Sequence, residues 1–298
     1  MWMATLVQSA GCPLLLIPYL LFPPSSNPNP LPRPPLPKTA LIYIGLGLII
    51  AGDNLMYSYG LLYLPLSTYS LVCASQLAFN VIFSYFLNAQ KLTALIFNSV
   101  MLLTLSATLL GVRSDSDDSI GVSKSKQALG FVLTLTASAV LSLLLSLTQC
   151  AFQKVFRRQT FFFVLEVQLC TNLVAACATV VGLFVSGDYR GLNEEMLGFE
   201  KGRVSYLMTL VWIAISWQVC SVGAVGLIFM VSSLFSNVIG TLGLPLVPVF
   251  AVVFFGDKMD GVKIVAMLIA VWGFLSYIYQ HYLDDSRLKK DNRRTGAL

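Results

Sequence analysis

Asp53 and Glu166 are carboxylates inside long apolar segments, and no such segment carries a lysine or arginine in its interior. At a bilayer centre a charged aspartate costs about 2.5–3.5 kcal/mol on insertion scales, so an unpaired one points to a path for a proton, an ion or a substrate. Asp53 stands 14 residues beyond Thr39, which at 1.5 Å per residue is about 21 Å along its helix, too deep to snorkel. Asn54 adjoins it and Tyr57 follows at i+4, so a carboxylate, an amide and a phenol can converge on one cavity wall. A desolvated carboxyl without a basic partner can take up a proton at mildly acid pH and release it inside. The alternative is a permanently protonated Asp53 that donates to a carbonyl of a neighbouring helix.

Glu166 is expected only about 9 Å from the start of its helix at Thr160. The basic cluster Lys154, Arg157 and Arg158 lies close by in sequence, so structural ion pairing competes with a proton or gating role. Uncharged polar residues form two further patterns. Thr134, Ser138, Ser142, Ser146, Gln149 and Gln153 recur at spacings of 4, 4, 4, 3 and 4, a polar stripe that either fastens two helices or lines a water-filled cavity. Gln76 and Asn80 make an i, i+4 amide pair that can face a heterocycle's edge or a neighbouring helix. Trp217 with Gln218, Trp212, and Tyr57 with Tyr59 can sandwich a planar ligand or hold a cation over a ring. Trp2 and Trp272 read as interfacial anchors, whereas Trp217 is too deep for that.

Enzyme chemistry has no residues to carry it. The one histidine, His281, falls at the end of the last apolar segment, where a helix C-cap is the plain reading. H-E-x-x-H, C-x-x-C, Walker and G-x-S-x-G patterns are absent from the sequence, so no metal, cofactor or hydrolytic site is expected. The six cysteines all lie in apolar segments as small packing residues.

The elements that must position these groups are transmembrane helices. Of the 298 residues 56% are hydrophobic and only 11% charged, with a mean hydropathy of +0.77, against roughly 25% charged in soluble domains. Spans of about 20 apolar residues are expected at 1–22, 39–63, 66–87, 91–112, 128–152, 160–186, 206–230, 232–255 and 262–282. Proline excludes helix from 23–37, expected as an extended or disordered loop. Two more polar loops are expected at 113–127 and 188–203, and no separate soluble domain. Gly240, Gly243, Pro245 and Pro248 are expected to break up the eighth span. Lysine and arginine number eleven in the loops on the C-terminal side and eight on the other, which puts the C-terminus in the cytoplasm. The tail at 283–298, with Arg287, Lys289, Lys290, Arg293 and Arg294, reads as an anchor on anionic lipid rather than a nucleic-acid patch.

An internal repeat is also visible. Displacing the chain by 166 positions superimposes Gly60, Leu61, Ser67 and Ser70 on Gly226, Leu227, Ser233 and Ser236. The copies lie five crossings apart, and an odd number inverts one relative to the other, as in many secondary transporters. Chance likeness between apolar helices is the competing explanation.

Three runs carry a resemblance: DNLMYSYGLLYLPLSTYSLVCASQLAFN from Asp53, VAACATVVGLFVSGDYRGL from Val174, and GLIFMVSSLFSNVIGTLGLPLVPVFAVVFFGDKMDGVKIVAMLIAVWGFLSYIY from Gly226. They resemble the plant purine permease family of the drug/metabolite transporter superfamily, from Met1 to about Tyr282. That resemblance implies ten helices in two inverted five-helix halves, here beginning at what resembles the second helix. The halves would be 1–152 and 153–282. It also implies proton-coupled import of adenine, cytokinins and related heterocycles, with alkaloids taken up by some relatives, at the plasma membrane. The expected arrangement is Asp53 with Glu166 for the proton, and Asn54, Tyr57, Gln76, Asn80, Trp217 and Gln218 around the heterocycle. A non-transporting membrane protein and a proton-independent facilitator or exporter are the alternatives.

Overall fold

A computed structural model describes residues 2–21, 35–64, 66–90, 93–114, 124–156, 161–199, 202–255 and 261–295. Every regular element among them is helical. The order is α1 (Trp2–Ala10), a 3-10 turn (Cys12–Leu15), α2 (Leu16–Leu21), α3 (Leu36–Tyr63), α4 (Leu66–Asn88), α5 (Ala94–Ser114) and α6 (Lys124–Cys150). There follow a π-helical turn (Ala151–Phe156), α7 (Phe161–Ser186), α8 (Leu192–Leu197) after a 3-10 turn, α9 (Gly202–Met230), α10 (Ser233–Phe255) and α11 (Gly261–Thr295). Among the described residues six helical segments, against the nine spans expected, are long and apolar enough to cross a membrane: Trp2–Leu21, Leu36–Tyr63, Lys124–Phe156, Phe162–Ser186, Gly202–Met230 and Ile264–Asp284. Val72–Asn88 and Ala94–Ser106 are shorter apolar helices.

Several expected features differ. The first span is interrupted at Cys12–Leu15, where Pro13 at the start of the 3-10 turn has no backbone N–H for a continuing helix. In the opposite direction, α10 runs without a break from Ser233 to Phe255 through Gly240, Gly243, Pro245 and Pro248, because a helix packed in a bundle tolerates residues that would end a solvated one. His281 is not at a helix end: α11 continues to Thr295, and the His281 ring lies 5.6 Å from that of Phe235. Pro35 and Pro37 open α3, a position where proline suits the first turn; the remainder of the proline-rich loop, and most of the loop at 113–127, lie outside the described residues.

Side-chain hydrogen bonds fix how the helices run. On α6, Ser138 donates to the Val72 carbonyl (3.3 Å), Ser142 to the Gln76 carbonyl (2.6 Å) and Ser146 to Asn80 Oδ1 (3.1 Å), each bridging 66 residues. A constant separation requires α4 and α6 to run parallel in step. Between α4 and α10 the pairing reverses: Gln76 Nε2 donates to Asn237 Oδ1 (2.8 Å) and Asn80 Nδ2 to the Ser233 carbonyl (3.1 Å). One index rises by four as the other falls by four, so these helices are antiparallel.

Two apolar cores flank this polar seam. One joins α4, α5, α10 and α11 around Leu77, Leu103, Leu234 and Val238. The other joins α3, the π turn, α7 and α9 around Tyr43, Phe152, Phe156, Phe163 and Ile228. Helices α3 and α7 meet closely at Gly47, where an added Cβ would lie 2.7 Å from the Thr171 carbonyl.

Candidate functional site

Among the described residues Asp53 is the one buried charged side chain, 2% exposed, and its Oδ1 has no hydrogen-bond partner. It stands past the middle of α3, where the apolar length on either side keeps it from water at the helix ends. Two cavities meet there. An outer cavity of about 630 Å³ reaches from Asp53 past Tyr57, Ser58 and Tyr69 to Leu61 and Leu62, exposed residues in the last turn of α3. An inner cavity of about 370 Å³ extends the other way along α6, α7 and α9. Asp53, Asn54, Leu141 and Trp217 line both and form the waist between them.

One end of the inner cavity borders an apolar core rich in aromatic rings. Val167 and Ile228 line the cavity and belong to that core, which contains Tyr43, Phe152, Phe156 and Phe163. Tyr43 stacks on Phe156 (5.9 Å between centroids), Phe156 meets Phe163 (4.7 Å), and Phe152 stands edge-on to Phe229 (5.4 Å). Phe152 and Phe156 come from the π turn, a helical irregularity that often accompanies functional sites.

The residues expected from sequence are distributed unequally around this path. Asp53, Asn54 and Tyr57 do share the outer cavity wall, with the Tyr57 hydroxyl donating to Ser138 Oγ (3.2 Å). Tyr59, which with Tyr57 could sandwich a planar ligand, is on neither cavity wall. Tyr59 stacks on Tyr63, and Tyr57 meets Tyr69 edge-on at 6.1 Å. Trp217 lines both cavities while its other side is exposed on the surface of α9. Gln76 reaches the outer cavity, but its amide is bound to Asn237.

Asn80 and Gln218 are on neither wall. Asn80 is fully buried where α4, α6 and α10 meet. It accepts from Ser84 and Ser146 and donates to the Ser233 carbonyl, while Ser233 N donates to Gln149 Oε1 at 2.7 Å. Gln218 donates to the Gln8 carbonyl (3.2 Å), joining α9 to α1. Of the polar stripe, Ser138, Ser142, Ser146 and Gln149 are thus bound to other helices, and Gln153 is exposed. Glu166 is half-buried on α7 and lines neither cavity; Arg157, Arg158 and Thr160 lie outside the described residues, and Lys154 donates to the Leu87 carbonyl (3.3 Å).

Five polar residues of the inner cavity were not singled out from the sequence: Thr148 on α6, Gln168, Thr171 and Asn172 on α7, and Ser221 on α9; the Thr148 and Thr171 hydroxyls donate to carbonyls of their own helices. Gln168 Nε2 donates to Ser221 Oγ, and Asn172 Nδ2 donates to the Gln168 carbonyl (2.9 Å). The signal was available, since Gln168 and Asn172 are spaced i, i+4 as Gln76 and Asn80 are. The cavities can therefore hold a small planar ligand against amides and rings, next to a carboxyl shielded from bulk water. Volumes of about 300–1,000 Å³ are typical of such sites.

Comparison with known proteins agrees with this architecture. A family model for purine nucleobase transmembrane transport matches residues 1–287. The chain is 58% identical over 297 residues to "Probable purine permease 11" of Arabidopsis thaliana, covering 99% of this chain and 78% of that protein. It is 51% identical over 296 residues to "Probable purine permease 10" (99% and 76%) and 51% identical over 294 residues to "Purine permease 21" (98% and 75%), both of Arabidopsis thaliana. A crystal structure of a protein 14% identical aligns over 92% of this chain and 87% of that one with a TM-score of 0.56, a likeness of fold alone.

Proposed function

The chain belongs to the purine nucleobase transporter family, and from that premise we propose that it is a proton-coupled importer of purine bases, cytokinins or related nitrogenous heterocycles, with Asp53 as the proton site. It is a transporter and not an enzyme, as the names of its relatives indicate. The observation that carries the proton assignment is the buried, unpartnered Asp53 Oδ1 at the waist between two cavities. Keeping that oxygen charged there is costly, and a proton from an acidic exterior removes the cost.

In this reading the nine apolar stretches all cross the bilayer, in two inverted halves, at the plasma membrane with the C-terminus inside. The antiparallel pairing of α4 with α10, the two helices related by the internal repeat, supports that arrangement. A proton enters through the outer cavity and neutralises Asp53. The heterocycle docks at the waist, with Tyr57 and Trp217 offering ring faces and Asn54 an amide. Loading both ligands favours a state in which the outer cavity closes and the aromatic cluster at the π turn parts, since ligands shift an equilibrium by binding one state better. Release inside returns Asp53 to its charged form and resets the cycle.

The roles of the other residues follow from their surroundings. Gln76 borders the path while tying α4 to α10. Asn80 and Gln218 hold helices together, and the position of Glu166 away from both walls supports a structural role for it.

The test is uptake of radiolabelled adenine by cells expressing this chain, at acid and neutral external pH, with and without a protonophore. Acid-stimulated, protonophore-sensitive uptake is expected. Uptake indifferent to both would replace proton coupling with facilitated diffusion, and none from protein verified at the cell surface would reject purine import.

A further inference from the structure

We propose that Ser138 is a positioning residue for the proton site: by taking the Tyr57 proton it leaves that tyrosine able only to accept from Asp53, and so sets the pH at which the carrier loads. This rests on the transport reading above and adds to it what holds Asp53 ready for a proton.

The direction of the chain follows from two hydrogen bonds. The Ser138 hydroxyl has one proton, and it is given to the Val72 carbonyl at 3.3 Å. Ser138 Oγ is thereby left to accept from Tyr57, whose hydroxyl donates to it at 3.2 Å. A phenol likewise has one proton, so Tyr57, with that proton committed, presents lone pairs and no donor to its other neighbours. Asp53 is such a neighbour. A helical side chain leans back over the turn that precedes it, which carries the Tyr57 ring over Asp53, one turn earlier on α3. Both line the outer cavity, and Tyr57 lies within electrostatic reach of the carboxyl.

A lone pair beside a carboxylate repels it, whereas a protonated carboxyl can donate to the same oxygen. The series Asp53, Tyr57, Ser138 and the Val72 carbonyl is therefore complete only with a proton on Asp53, each hydroxyl accepting from one side and giving to the other. The remaining titratable groups on the cavity walls are Tyr69 and Cys73 on α4 and Cys220 on α9. Among the described residues no lysine, arginine, histidine or second carboxylate lines either cavity. Asp53 Oδ1 has no hydrogen-bond partner, so neither Tyr69 nor Cys73 donates to it. Ser138 is fully buried on α6 and lines neither cavity, so it acts through Tyr57 and touches no substrate. The bond that fixes its proton is also one rung of the seam between α4 and α6.

The experiment is initial uptake of radiolabelled adenine across a series of external pH values, normalised to surface protein. The readout is the pH of half-maximal uptake, because a mere loss of helix packing lowers the plateau without moving that midpoint. Ser138→Ala frees the Tyr57 proton for the Asp53 carboxylate, so the midpoint should fall by about one pH unit, the difference a hydrogen bond to a charged group makes. Ser138→Thr keeps the hydroxyl and should keep the wild-type midpoint. In a Tyr57→Phe background Ser138→Ala should cause no further shift, since the proton it frees is gone. Ser138→Cys, close in size to serine but with a poor acceptor sulfur, should also lower the midpoint, and it decides the matter if the alanine variant does not reach the surface. An unchanged or higher midpoint in Ser138→Ala or Ser138→Cys overturns the assignment. A shift of the same size in Ser138→Thr, or in the Tyr57→Phe background, does so as well. Wild-type uptake that ignores external pH would reject the proton-coupled reading, and this one with it.

Discussion

Two amide pairs of identical spacing sit in different worlds: Gln76 and Asn80 on α4, and Gln168 and Asn172 on α7. The first pair is absorbed into a network with α6 and α10, in which Asn80 alone has three polar partners and no exposed surface. The second pair commits one N–H of each amide and lines a cavity with the other N–H and the oxygen of each left over. Saturated polar groups between membrane helices fasten them, whereas groups with unused capacity beside an empty space can bind something that arrives later. The difference lies in the neighbouring helix and not in the pair.

The sharpest way to break that distinction is at Asp53, a buried carboxyl whose Oδ1 has no hydrogen-bond partner among the described residues. Asp53→Asn mimics the protonated acid, so purine accumulation should fall more than tenfold and the remaining flux should lose its dependence on external pH. The sign follows from the mechanism: protonation loads the carrier, so wild-type uptake rises as external pH falls and is lost as it rises. Uptake measured across a pH series checks this, and an undiminished acid response in the variant would remove Asp53 from the mechanism. Next in size is Gly47→Ala, which forces α3 away from the Thr171 carbonyl. Overpacking of this kind costs about 1–3 kcal/mol, expected as a lower melting temperature in detergent together with weaker adenine uptake, because the displaced helix carries Asp53.

Asn80→Leu addresses the saturated pair. Interhelical hydrogen bonds in membranes average about 0.6 kcal/mol each, so losing several should cost roughly 1–2 kcal/mol of stability and lower the surface yield. The apparent KM for adenine in the protein that remains should be unchanged. A selective rise in KM would place Asn80 in the substrate path and erase the contrast with Asn172. The smallest effect is expected of Ser84→Ala, which removes hydroxyl contacts to Asn80 and Ser233. It should lower thermal stability by about 1 kcal/mol, at roughly 0.6 kcal/mol per hydrogen bond, without any change in transport.

The groups at the waist were legible because charge inside an apolar run is rare and helical spacing brings Asp53, Asn54 and Tyr57 to one wall. Helix positions were legible in part: the interruption near Pro13, α8 inside the loop expected at 188–203, the unbroken course of α10 and the extension of α11 beyond His281 were not. What the sequence did not reveal was which polar pairs would find partners. The spacing of Gln76 and Asn80 says nothing about Asn237 or Ser233, which are remote in the chain and reach them only through the antiparallel packing of α10. By the same logic Gln168 and Asn172 carry no charge, sit in an apolar helix, and gain significance only once Ser221 and the cavity stand beside them.

Central to this account is that a buried carboxyl moves a proton with each heterocycle. The most direct measurement uses purified protein in liposomes loaded with a pH-sensitive dye, to which adenine is added outside with no imposed gradient. The wild type should acidify the lumen as adenine enters, and Asp53→Asn should still exchange labelled for unlabelled adenine without moving protons. Adenine entry by the wild type with no acidification, or acidification undiminished in Asp53→Asn, would contradict it.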